Sequence, residues 1–148
     1  MRIGDSNCER LSQTNNLSDS RTNKSQIAKG RKARILLVED DKALRRYLEV
    51  TLERAGYEVL QASDGLEAMK LVASAPVDLV ITDAMMPNLS GHELCRFLRN
   101  SPKLAHIPIV LLSGSEKDAG AQGGPADVFF SKPVAAEELL ECIERLLQ

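Results

Sequence analysis

From Ala33 onward, short unbroken apolar runs alternate with longer stretches in which apolar residues recur at helical spacing. Ile35-Leu36-Leu37-Val38 is too short for a helix and has no polar alternation, as expected of a strand buried on both faces. Asp41 is placed to cap a helix whose apolar positions are Leu44, Tyr47, Leu48, Thr51, Leu52 and Ala55, and Gly56 is its stop signal. Tyr57–Gln61 is a second short strand. Asp64 starts a helix that runs to about Ala75 and is closed by Pro76. Val77–Thr82 is another buried run, and Gly91–Asn100 reads as a helix with Leu94, Phe97 and Leu98 inward. Pro108–Leu112 and Val128–Phe130 are the remaining strands. The last helix carries Leu139, Leu140, Ile143, Leu146 and Leu147 on one stripe. Strands without alternation, separated by helices, predict a parallel sheet covered on both faces, and right-handed crossovers make it a doubly wound α/β domain.

Residues 1–32 break this pattern. They are rich in Ser, Thr, Asn and Gln and hold seven Lys/Arg against three Asp/Glu, a net of +4. The remainder holds twelve against eighteen, a net of −6. The expected organisation is a solvated, disordered tail over 1–32 and one domain over 33–148, because so polar a segment buries too little to fold. Seven basic residues spread over that length are weak support for nucleic-acid binding. With 43% hydrophobic but only 3% aromatic residues, the domain's core must be mainly aliphatic. Cys8, Cys95 and Cys142 are odd in number and lack metal-binding spacing, so reduced thiols are expected. No run approaches the ~20 apolar residues of a membrane span, and no secretory h-region opens the chain; a cytoplasmic location is expected.

In a doubly wound sheet, ligands collect at the carboxyl ends of the strands, beside the point where strand order reverses. Those ends are unusually polar. The first strand runs into Glu39-Asp40-Asp41, the third into Asp83 and the fourth into Ser113, and Lys132 follows the fifth. Two carboxylates ~5 Å apart repel by roughly 3 kcal/mol at an effective dielectric of ~20, so clustered acids need compensation. A lysine and a divalent cation supply it, and an all-oxygen donor set favours Mg²⁺ over zinc. The same parts suit phosphate chemistry: an Asp carboxylate attacks a phosphoryl donor, while a cation, an ammonium and a hydroxyl neutralise the developing charge.

Four motifs in order, Ile35-Leu36-Leu37-Val38-Glu39-Asp40-Asp41, Asp83-Ala84-Met85-Met86-Pro87-Asn88-Leu89-Ser90-Gly91, Leu112-Ser113-Gly114 and Phe129-Phe130-Ser131-Lys132-Pro133, resemble the response-regulator receiver family over about residues 33–148. The resemblance implies a flavodoxin-like five-stranded sheet of order 2-1-3-4-5. It further implies Asp83 as phosphoacceptor, Asp40 as direct Mg²⁺ ligand, Glu39 acting through water, and the Met85 backbone carbonyl on the metal, with Mn²⁺ as a substitute. Lys132 would bind the phosphate next to a cis bond to Pro133. Ser113 and Phe129 match the hydroxyl and aromatic switch residues, and Gly114 the small residue that leaves room for phosphate. The implied partners are a histidine kinase or histidine phosphotransfer protein and a downstream protein target; no direct DNA binding and no membrane partner are expected. The implied chemistry, phosphotransfer and slow self-hydrolysis, makes the chain a single-domain switch rather than a metabolic enzyme.

Two features depart from the family pattern. Ser113 and Lys132 lie 19 positions apart, a few fewer than usual, and the intervening Gly120, Gly123, Gly124 and Pro125 are poor helix material. A short or missing helix is therefore expected there, and with it an altered output surface. No output domain is expected after Gln148. A receiver-like module that binds partners without phosphorylation is the alternative. A Mg²⁺-dependent phosphatase is disfavoured, since Met85 stands where a general acid would be needed two residues after Asp83. A dinucleotide fold is disfavoured because Val38-Glu39-Asp40-Asp41-Lys42 replaces the required glycine-rich turn. Asp41 reads as an N-cap rather than a ligand, Arg45 and Arg46 as a solvated helix face, His92 as surface and His106 as loop.

Overall fold

The computed structural model describes residues 31–114 and 126–148. The polar tail and the weak helical segment fall largely outside these residues. The described chain runs β1 (Arg34–Val38), α1 (Lys42–Arg54), β2 (Glu58–Ala62), α2 (Gly65–Ser74), β3 (Leu79–Asp83), α3 (Gly91–Asn100), β4 (Ile109–Ser113), β5 (Val128–Ser131) and α4 (Ala136–Leu146). All strand pairs are parallel and the spatial order is β2-β1-β3-β4-β5, the doubly wound, flavodoxin-like arrangement expected from the sequence.

The unbroken apolar runs are explained by two cores. Ile35 and Leu37 face one side of the sheet with Leu79, Ile81, Val110 and Leu112, and α1 and α4 cover them through Leu48, Leu52, Leu139 and Ile143. Leu36 and Val38 face the other side with Val80, Ile109 and Leu111 beneath α2 and α3, which contribute Ala68, Val72, Leu94 and Leu98. Neighbouring residues on a strand point to opposite faces, so a strand between two helical layers must be apolar throughout.

The helix ends follow the punctuation read from the sequence. Asp41 caps α1, its carboxylate accepting the amides of Ala43 and Leu44, and Gly56 follows the helix at φ 100°. Asp64 caps α2, and Ser90 with Glu93 forms a reciprocal capping box on α3. Tyr47, expected inward on α1, is 52% exposed. The stripe of α1 closes on Leu48 and Leu52, and Tyr47 falls at its outer edge. His92, read as surface, is half-buried, with Nε2 enclosed and unpartnered among the described residues. Arg31 reaches the domain, forming paired bonds to the Asp78 carboxylate at 3.1 and 3.0 Å.

The loop between β3 and α3 is packed against its own strand. The Gly91 amide donates to the Ala84 carbonyl at 2.9 Å, and a Cβ at position 91 would lie 2.1 Å from the Asp83 carbonyl oxygen. Both atoms in that clash are fixed by backbone, so neither yields cheaply. Gly91→Ala is expected to destabilise the fold by about 2 to 3 kcal/mol and to lower reactivity at the end of β3. Urea unfolding of the two proteins checks the first effect.

Candidate functional site

Strand order reverses between β1 and β3: the chain leaves β1 toward β2 on one side and returns to β3 on the other. Val38 registers against Thr82, and Asp83 against Leu112. Glu39, one residue past β1, and Asp83, the last residue of β3, are therefore side by side at the crevice. Carboxylate oxygens of Glu39, Asp40 and Asp83 lie within 4.8 Å of one another. Glu39 and Asp83 are buried, at 1% and 6% exposure, while Asp40 is exposed.

Lys132 completes the cluster from beyond β5. Its ammonium lies 3.1 Å from Glu39 Oε1 and 3.0 Å from Asp83 Oδ1, and its bond to Pro133 is cis. The Lys132 amide donates to the Ser113 carbonyl at 2.8 Å, tying the last strand end to the fourth. Ser113 is buried beside them. Phe129 is half-buried and packs against the core beneath α2 and α3. A Cβ at Gly114 would meet nothing within 4 Å among the described residues. Met85 directs its side chain outward, at 61% exposure.

The electrostatics follow from this packing. Burial, and then the charge of Asp83, push the Glu39 carboxyl up to about 7, against the pull of the Asp41 amide and of Lys132. Burial pulls the Lys132 ammonium down, but its hydrogen bonds and charge contacts with Asp83 and Glu39 outweigh this and raise it overall. One ammonium does not neutralise three acids. The donor set is oxygen-only, clustered and electron-rich, which fits a hard divalent cation such as Mg²⁺.

A stability prediction follows with a definite sign. A carboxyl whose folded pKa is raised adds stability below its ordinary value of about 4.5 and loses it as pH rises through about 7. In metal-free buffer, wild type should lose on the order of 2 to 3 kcal/mol from this group between pH 5 and pH 8, and Glu39→Gln should not. Denaturant titrations of both proteins at the two pH values, with chelator present, isolate the term.

Sequence reasoning placed Glu39, Asp40, Asp83, Ser113 and Lys132 at strand ends but missed two contacts. Arg45, read as solvated, donates from Nη1 to the Glu39 carbonyl oxygen at 2.6 Å. The available signal was its place in the first turns of α1, since helical side chains lean back toward the N-terminus and so toward the end of β1. Asn88, at φ 70°, donates to the Asp64 carboxylate at 2.9 Å and so ties the β3–α3 loop to the cap of α2. Asp41 sits where a cap belongs, and its carboxylate is engaged with the helix amides.

This constellation, on this sheet, defines a receiver domain of two-component signalling. The chain belongs to the response regulator receiver domain family, which matches residues 35–144. It is similar to the response regulator MprA of Mycobacterium leprae, with 44% identity over 119 residues, covering 78% of this chain and 51% of that protein. MprA of Mycobacterium sp. strain KMS gives the same identity and 50% coverage. The chain thus spans about half the length of these curated relatives. Among solved structures it is similar to the chemotaxis response regulator CheY4 of Vibrio cholerae (32% identity, TM-score 0.70, 78% of this chain and 98% of that one). It is also similar to the response regulator TrrA of Thermotoga maritima, solved in complex with Mg²⁺-BeF (34% identity, TM-score 0.67, 77% and 98%). No helix among the described residues is long and apolar enough to cross a membrane.

Proposed function

We propose that the protein takes a phosphoryl group onto Asp83 from the phosphohistidine of a histidine kinase or phosphotransfer protein, and so switches a surface that a downstream protein reads. The observation that carries this reading is the Lys132 ammonium bridging Glu39 and Asp83, with the Asp40 carboxylate in the same cluster. A carboxylate oxygen of Asp83 attacks phosphorus and the P–N bond breaks. The electron pair goes to the departing imidazole, and Asp83 becomes an acyl phosphate. Lys132 loses its bond to the attacking carboxylate and is placed to pair with a phosphoryl oxygen instead.

Asp40, Asp83 and the Met85 backbone carbonyl would hold Mg²⁺ directly and Glu39 through water, with Mn²⁺ as a substitute. When bound, the cation supplies charge neutralisation for the phosphoryl oxygens. Clustered acids within 4.8 Å and the Mg²⁺-BeF complex of TrrA support this assignment. Ser113, buried at the end of β4, would donate its hydroxyl to the new phosphate. Half-buried Phe129 would then turn inward as the aromatic switch residue, and Gly114 would leave room for the phosphate. Return to the resting state is slow self-hydrolysis. The activity is a signalling cycle rather than metabolic catalysis, and contact with DNA, if any follows downstream, is made by another domain or protein.

Incubation with acetyl phosphate tests the reading. Intact mass should rise by one phosphoryl group in the presence of Mg²⁺ and stay unchanged in chelator. Partner binding that is identical with and without phosphorylation would favour a phosphorylation-independent module instead.

A further inference from the structure

We propose that Arg45 is a positioning residue for the cation-binding acid Asp40, acting through the peptide group that precedes it; the inference rests on the Mg²⁺ site assigned above. Glu39 is held at every polar atom. Its amide donates to the Ala62 carbonyl at 3.0 Å, and its two carboxylate oxygens accept Lys132 Nζ at 3.1 Å and the Asp41 amide at 3.2 Å. Its carbonyl accepts Arg45 Nη1 at 2.6 Å, a short, charge-assisted bond. Asp40 differs: it is exposed, and its carboxylate makes no hydrogen bond or ion pair with the described residues. Among the described residues, its direction is set by the backbone that carries it.

Arg45 holds the carbonyl of the peptide that precedes Asp40, and also the Asp41 carbonyl, which lies one peptide beyond Asp40. Its backbone amide donates to Asp41 O at 2.9 Å, as the first turn of α1 requires of any residue at this position. Its guanidinium holds Glu39 O, and that bond depends on the side chain. Without it the Glu39 carbonyl loses this hydrogen bond, and the peptide that carries Asp40 is held less tightly. Mg²⁺ tolerates little departure from octahedral geometry, so a small displacement of one direct ligand is costly.

A guanidinium held at the Glu39 carbonyl also has an opposite, purely electrostatic effect, since its charge repels a cation entering the acid cluster. The two effects predict opposite signs when Arg45 is removed. If charge dominated, Mg²⁺ would bind more tightly to Arg45→Met; if positioning dominates, it binds more weakly. The short bond to a carbonyl that directly precedes the ligand favours positioning.

Calorimetric titration of the full chain with MgCl₂ decides between them, with Asp40→Asn as control. Arg45→Met should raise the Mg²⁺ Kd roughly tenfold, as removal of a residue that orients a metal ligand does. Arg45→Lys, which keeps the charge and one donor, should raise it by a smaller factor. At saturating Mg²⁺, Arg45→Met should regain the wild-type rate with acetyl phosphate, so that the defect lies in cation affinity. A Kd unchanged or lowered in Arg45→Met overturns the inference. Should that variant not fold, an unchanged Kd in Arg45→Lys overturns it equally. Wild type that binds no Mg²⁺ would overturn the site assignment and this inference with it. Wild type that binds while Asp40→Asn does not leaves the site standing and makes the Arg45 comparison the sole arbiter.

Discussion

Asp83→Asn should abolish phosphoryl uptake from acetyl phosphate while leaving the fold intact. The substitution keeps the side chain's size at a position that is 6% exposed, so the core at the end of β3 is undisturbed. What it removes is the proposed nucleophile, because a carboxamide oxygen carries no negative charge and gives no stable acyl phosphate. It also removes one of three clustered acids. The charge of Asp83 is the second largest cause holding the Glu39 carboxyl near 7, so that carboxyl should move back toward its ordinary range in the variant. Intact mass after incubation with Mg²⁺ should show no added phosphoryl group, with the unfolding midpoint preserved. A variant that still gained the group would place the acceptor elsewhere, and peptide mapping would then locate it.

Lys132→Met should have the next largest effect, and on two observables at once. The lysine is the cation that bridges Glu39 and Asp83 in the metal-free protein. Removing one partner of such a partly buried cluster leaves the acids uncompensated, a loss of about 3 kcal/mol at pH 8. The loss should shrink at pH 5, where Glu39 is protonated, and should shrink again when Mg²⁺ is added. The initial rate of phosphorylation should fall about 100-fold, the usual consequence of deleting one charge-stabilising donor. Stopped-time mass measurements at saturating Mg²⁺ separate the rate from cation affinity. If stability fell but the rate held, Lys132 would be a structural counter-ion with no part in handling the phosphoryl group.

Much of this protein is legible in one dimension because its physics is local. An unbroken run such as Ile35–Val38 has only one stable environment, a strand covered on both faces, and the two observed cores divide that run alternately between them. Asp41, Asp64 and Ser90 announce helix starts because an isolated side-chain oxygen followed by free amides is a local arrangement. Strand ends differ from strand interiors in polarity, so Glu39, Asp40, Asp83, Ser113 and Lys132 stand out without coordinates. Boundaries were less legible. β3 begins at Leu79 rather than at Val77, and Asp83 and Ser113 belong to their strands, because the ladder to the neighbouring strand, and not the apolar run, sets where pairing stops.

The sequence by itself therefore determined the class of fold, the helix caps and the set of polar residues at the strand ends. Only the tertiary structure decided how those residues meet. Lys132 reaches Glu39 across 93 positions because β1 and β3 lie side by side at the reversal of strand order and β5 completes the same sheet edge through β4. The Glu39 carboxyl rises to about 7 because burial and a neighbouring charge act together, and neither is a property of its own residue type. Arg45 shows the same division. Its helical register was readable, but whether its guanidinium met water or the Glu39 carbonyl depended on the angle at which α1 leaves the strand. Short-range preferences are written residue by residue; charge, burial and long-range contact arise only when distant segments share one crevice.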